Sequence, residues 1–151
     1  MDDDAGLTPM RRLLAAEHGL SVVSLARADG TVSSSVVNAA LLPHPVGAAT
    51  VLAFVIRAAA YKRRRLLLDP RVTVTVRAGW EWQAVEGTTE LIGPLDPAPG
   101  DPVDVPALLR DVFRAAGGTH DDWAEYDRVM AAEQRTAVLV APTKVYGIVG
   151  G

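Results

Sequence analysis

At 151 residues, 49% of them hydrophobic and 22% charged, the chain has the length for one domain with a buried core and is too apolar to remain disordered. Its formal net charge of −3 counts against a general nucleic-acid binder, and the lack of cysteine excludes a disulfide framework and any thiolate metal site. The opening Met-Asp-Asp-Asp-Ala-Gly is acidic where a secretory leader is basic, and no apolar run reaches membrane-spanning length, so a cytoplasmic protein is expected.

In chain order, Thr8-Pro9 followed by MRRLLAAEH and Gly19 predicts a first helix, with Thr8 as its cap, Pro9 in its first turn and Gly19 at its end. Leu20 to Ala28 and Thr31 to Leu42 are strand-like and meet at Asp29-Gly30, a strong hairpin signal. Pro43, Pro45 and Gly47 mark a loop, and Val51 to Ile56 suits a buried strand. Ala58 to Leu68 favours a helix that Asp69-Pro70 stops, and Val72 to Val76 alternates with the period of a half-buried strand. Trp80 to Ile92 makes another strand, and the proline-rich stretch from Gly93 to Pro106 reads as a surface excursion. Pro106 to Ala116 and Asp121 to Gln134 are helical, with Asp121 or Asp122 as a cap for the second. Thr136 to Val140 and Lys144 to Ile148 close the chain as a strand interrupted by Pro142.

About six strands with short helices between them, and no βαβ alternation, predict one all-β domain over residues 1–151 with peripheral helices. In a chain this short, closure into a barrel is the simplest way to remove exposed edges.

The most informative chemistry is Lys62-Arg63-Arg64-Arg65, a basic run in an acidic chain, which fits a local anion site. It follows the strand ending at Ile56, with Arg57 between, so a phosphate there would meet both side-chain and backbone donors. A solvated helix face explains the run equally well. Ser33-Ser34-Ser35 would put small hydroxyls on a sheet surface suited to a flat polar ring, although a solvent-facing strand is the plainer use. Trp80 and Trp82, two apart, would share a strand face and could wall a pocket or fill a core. His44 lies between prolines, and His120 precedes Asp121-Asp122-Trp123 as a capping or turn residue. No side chain stands out as nucleophile or general base, and no spacing suits a metal. An enzyme whose cofactor carries the reaction has no need of such a residue.

Together the hairpin SVVSLARADGTVSSSVVNA, the segment YKRRRLLLDPRVTVTV, the strand GWEWQAVEGTTEL, the helix THDDWAEYDRVM and the closing VYG resemble the pyridoxamine 5'-phosphate oxidase-like superfamily of split β-barrels. Within it, the chain is most similar to the actinobacterial group of F420-dependent enzymes, from Leu13 to Gly147. The resemblance implies an FMN-binding-like split barrel and a homodimer with two cofactor sites at the subunit interface. It further implies that Lys62, with its basic neighbours Arg63 and Arg64, holds the cofactor phosphate. Residues of the second strand, Ser34, Ser35, Val36 and Asn38, would line the ring system, and Trp80, often from the other subunit, would approach it. The sequence departs from relatives at Ala60, where some carry an arginine, which leaves Arg57 or Arg64 as the substitute.

The function so implied is an F420-dependent reductase passing hydride from the reduced deazaflavin to an unsaturated small organic substrate. Four consecutive basic residues suit the long anionic F420 better than FMN with its single phosphate. An FMN-dependent oxidase or reductase of the same fold is the alternative, followed by a non-catalytic flavin- or deazaflavin-binding protein. A nucleic-acid-binding barrel is disfavoured by the net charge and by an aromatic content of 5%. Neither a nucleic acid nor a membrane is expected as a partner.

Overall fold

The computed structural model describes residues 5–98 and 100–150; the acidic residues 2–4 and the excursion's Pro99 lie outside them. Among the described residues there are seven strands: β1 (Leu20–Ala26), β2 (Val32–Asn38), β3 (Ala40–Pro43), β4 (Thr50–Ile56), β5 (Arg71–Ala78), β6 (Glu81–Ile92) and β7 (Thr136–Ile148). Four α-helices accompany them, α1 (Thr8–Ala16), α2 (Tyr61–Leu68), α3 (Val105–Ala115) and α4 (Trp123–Ala132). None of these helices is long and apolar enough to cross a membrane.

All strand pairings are antiparallel, in the order β2-β1-β5-β6-β7-β4-β3. The two edge strands of this sheet, β2 and β3, are separated in sequence by Ala39 alone. A chain that leaves one edge at Asn38 and enters the opposite edge at Ala40 forces the sheet to curl until its edges meet. That closure makes the barrel. It also divides the single strand expected over Thr31 to Leu42: Val36 pairs with Val22 of β1, whereas Leu41 pairs with Leu52 of β4. The corner is tightly packed. Gly19 lies beneath it at φ +77°, and a Cβ there would come within 2.6 Å of the Ala39 carbonyl oxygen.

Two apolar clusters hold the structure. Inside the barrel, Val23, Leu52, Phe54, Val74, Val85 and Val138 pack with Met10 and Leu13 of α1, which plugs one end. Outside it, Leu42, Val51, Leu139 and Ile92 pack beneath Leu109 and Val112 of α3 and Tyr126 of α4. Strand β4 and the first half of β7 are therefore buried on both faces, which is why Val51 to Ile56 is a continuous apolar run. Each fully buried Leu or Phe in such a core contributes about 1.5–3 kcal/mol.

Several local expectations are corrected. Thr8 is the first residue of α1 rather than its cap; Leu7 holds that position with no side-chain cap bond, while Pro9 does sit in the first turn. Helix α2 begins at Tyr61, because Arg57 to Ala60 form a turn closed by the Ala60 amide donating to the Arg57 carbonyl at 3.0 Å. The reversal needed after β4 overrides the helix propensity of three alanines. Trp80 stands in the β5–β6 turn and not on the strand with Trp82. Strand β7 runs unbroken through Pro142. Its register jumps between Glu86 and Gly87, so that Thr143 is the extra residue of a bulge. Gly87 is required there, since a Cβ would lie 2.4 Å from the Ala141 carbonyl oxygen. As expected, Asp122 caps α4 by accepting from the Glu125 amide, and His120 accepts from the Asp122 amide in the preceding turn.

Candidate functional site

Helix α2 closes over the barrel with Leu66 buried, and its basic residues leave it in four directions. Successive helical side chains are about 100° apart, so a contiguous basic run cannot present one charged track. The Lys62 ammonium donates to the Ser35 hydroxyl at 3.0 Å. Arg63 forms a two-bond fork with Asp96, at 2.9 Å to each oxygen. The Arg64 guanidinium donates to the Ala59 carbonyl at 3.0 Å and lies over the Tyr61 ring. Arg65 donates to the Ala26 carbonyl at 3.0 Å.

The Arg63–Asp96 pair is largely enclosed, with the two side chains 17% and 9% exposed. The guanidinium's hydrogen bonds, aided by the Thr136 hydroxyl, hold the Asp96 carboxyl below its ordinary range, against the cost of burial. Arg63 is thus committed to a structural fork within the excursion after β6. Arg63 and Arg65 both have partners within the fold, which leaves Lys62 and Arg64 as the members of the run nearest a ligand.

What the structure does bring together is a groove of about 530 Å³. One wall is the free edge of β2 at Val36 and Asn38; the other is the turn from Arg57 to Ala60, with Lys62 at one end and Arg135 beside it. Among the described residues β2 pairs only with β1, so on its other side backbone N–H and C=O groups have no ladder partner. The alternation of β2 splits its serines. Ser35 faces the helix and binds Lys62, whereas Ser34 faces outward and shares a 2.9 Å hydrogen bond with the Ser24 hydroxyl.

Of the residues expected from the sequence, Val36, Asn38, Arg57 and Lys62 line this groove, and Ser35 supports it through Lys62. Ser34 and Trp80 do not line it; Trp80 is 96% exposed in its turn. Two further residues belong to the groove's rim and were missed. Glu133, at the C-terminal end of α4, receives Arg57 at 3.0 Å and Arg135 at 3.2 Å, so one carboxylate anchors two guanidiniums. Nothing in the spacing Glu133-Gln-Arg135 signals this, because Arg57 is brought to it only by the β4–β7 pairing.

No family model matches the sequence. Solved structures do match its fold. A conserved hypothetical protein of Mycobacterium tuberculosis superimposes with a TM-score of 0.65 at 16% identity, over 100% of this chain and 93% of its own. A protein described as an F420 reductase gives 0.57 at 17% identity, over 84% of this chain and 88% of its own. A pyridoxamine 5'-phosphate oxidase-related, FMN-binding protein of Nostoc punctiforme gives 0.57 at 13%, over 95% and 80%. The chain is an FMN-binding-like split β-barrel. In this split barrel the groove lies where the closing edge β2 meets the helix α2 that follows β4.

Proposed function

We propose that this split barrel is an oxidoreductase that binds coenzyme F420 in the β2–α2 groove and transfers hydride between it and a small unsaturated organic molecule. The observation that carries the reading is the Lys62–Ser35 pair. It fixes an ammonium at one end of a groove whose wall is an unpaired strand edge. The residues present fit such a cofactor. Lys62 and Arg57 suit its phosphate, and the free N–H and C=O groups of β2 suit the edge of a flat heterocycle. The small side chains of Ala59 and Ala60 leave the opposite wall open. The bound deazaflavin would supply the hydride chemistry; the chain's own residues bind it, orient it and exclude water.

A second reading, FMN in the same groove, is favoured by one observation. With Arg63 held by Asp96 and Arg65 by a carbonyl, the cationic groups converging on the groove form a compact site. Difference spectra on adding F420 and FMN separately to the purified protein test both readings. A saturable change with F420 alone supports the first, and a change with FMN alone replaces it with the second. No change with either removes the cofactor reading altogether.

The reading includes a homodimer. Across the outer face of the sheet, Val36, Val22, Thr75, Ala84 and Tyr146 stand in register on five adjacent strands. Val36 and Ile148 are each 65% exposed on that face. The exposed apolar side chains at the two ends of this row, Val36 and Val22 at one and Tyr146 and Ile148 at the other, are what an isologous dimer buries, and they border the groove through Val36.

A further inference from the structure

The groove has a second space beside it. A smaller cavity of about 180 Å³ adjoins it between α3 and α4, and Asn38, Val55 and Arg135 line both spaces. Its depth is apolar and aromatic, formed by Val112, Phe113, Tyr126 and Met130. The rings of Phe113 and Tyr126 are 5.0 Å apart and tilted by 44°. The Tyr126 hydroxyl already donates to the Leu109 carbonyl at 3.2 Å, and burial raises its pKa, so it offers the cavity a ring and no free proton. The polar groups are confined to the mouth.

There the charge is unbalanced. Two nitrogens of Arg135 donate to the same oxygen of Glu133, and Arg57 takes the other oxygen. One carboxylate between two guanidiniums leaves an excess positive charge. The Arg135 side chain is 23% exposed and Arg57 64%, so water screens the charge less at Arg135, on the cavity side, than at Arg57. Asn38 adds a carbonyl and an amide at the same rim, the amide donating to the His18 carbonyl.

We infer that this cavity is the substrate pocket of the proposed enzyme and that it takes a small planar carboxylate, its ring against Phe113 and Tyr126 and its carboxylate on Arg135. The inference rests on the cofactor reading for the word substrate, but the binding site itself does not. Size restricts the ligand: pockets for drug-sized molecules begin at roughly 300 Å³, so this one admits a single ring with a short arm. Charge restricts it further, since a neutral molecule would leave the Arg135 excess unanswered while a carboxylate would complete the cluster.

Benzoate and its neutral isostere benzamide are the probes, titrated by calorimetry and amide chemical shifts into the cofactor-free protein. Benzoate should bind about tenfold or more tightly than benzamide, the advantage expected of one charge-assisted hydrogen bond. Arg135→Gln should abolish that advantage, and Met130→Trp, which fills the cavity, should abolish binding of both. The milder Phe113→Leu, with thermal unfolding measured alongside, covers the case in which the tryptophan variant does not fold. Equal affinity for the two probes, or a benzoate preference untouched in Arg135→Gln, overturns the inference, as does no binding. Titration of the same proteins with F420 and FMN separates the two readings. Cofactor binding without benzoate binding sinks the pocket alone. Arg135-dependent benzoate binding without cofactor binding sinks the proposed enzyme and leaves the pocket standing.

Discussion

Arg63 and Asp96 face each other in a two-bond fork, both hydrogen bonds 2.9 Å long, and the Thr136 hydroxyl gives the same carboxylate a third at 3.1 Å. The fork ties α2 to the turn after β6 and to the start of β7. Removing one partner of an enclosed pair leaves the other charge uncompensated, which costs 3–5 kcal/mol when fully buried. At the partial exposure of this pair, Asp96→Asn should destabilise the fold by about 2–3 kcal/mol in denaturant unfolding. The pH dependence has a definite sign. The folded Asp96 pKa is depressed, so its contribution is present above the unfolded value near 4 and is lost as pH falls through the folded one. Between about pH 5 and the acid limit the wild type should lose stability more steeply than Asp96→Asn. Parallel slopes would show that Asp96 does not titrate with folding.

Lys62 differs from its neighbour in what it touches. Its partner is the neutral hydroxyl of Ser35 on the helix-facing side of β2, which orients the ammonium without neutralising it. Lys62→Ala should therefore weaken cofactor binding by about 1.5–3 kcal/mol, the range for a hydrogen bond to a charged group. Ser35→Ala should weaken it by less, about 0.5–1.5 kcal/mol, by releasing the lysine. Midpoints of thermal unfolding should barely move in either. Undiminished affinity in Lys62→Ala would place the phosphate elsewhere.

Arg64 is the member of the basic run left exposed near the groove's Ala59 wall. An anionic tail extending beyond the phosphate would meet it through screened contacts, effective over a Debye length of about 8 Å at physiological salt. Arg64→Gln should lower F420 affinity and flatten its salt dependence, with a smaller effect on FMN. Arg63→Gln, by contrast, should act through stability. Titrations of both variants with both cofactors at two salt concentrations check this. An equal loss for the two ligands in Arg64→Gln would remove the structural reason to prefer the deazaflavin.

Much of the architecture was legible because it is written locally. The Val-Thr alternation of β5, the Asp29-Gly30 turn and the Asp122 cap each carry their meaning within a few residues. The barrel corner at Ala39 was not, since only the pairing of Leu41 with distant Leu52 divides that run. The site shows the same limit. Lys62 stood out as a charge in sequence. The Arg63–Asp96 fork spans 33 residues, and the meeting of Arg57 and Arg135 at Glu133 spans about half of the chain. Charge runs reveal where cations are, whereas folding decides which of them remain available to a ligand.

The apolar row on the outer sheet gives the last prediction. Val22 is its second member, paired directly with Val36 on one side and Thr75 on the other. In an isologous dimer every substitution occurs twice about the two-fold axis, so its cost to association is doubled. Val22→Lys would place two ammonium groups in the apolar part of the interface, each several kcal/mol costlier to bury than valine if unpaired. Within the monomer the same side chain is exposed, and the cost to folding should be small. Sedimentation should therefore show a dimer for the wild type at micromolar concentration and a folded monomer for Val22→Lys. If the site is shared between subunits, with Trp80 contributed from across the interface, the monomer should also bind the cofactor more weakly. A wild type that sediments as a stable monomer would sink the dimer and the shared site together. A monomeric variant with full cofactor affinity would sink only the sharing, and confine the groove to one chain.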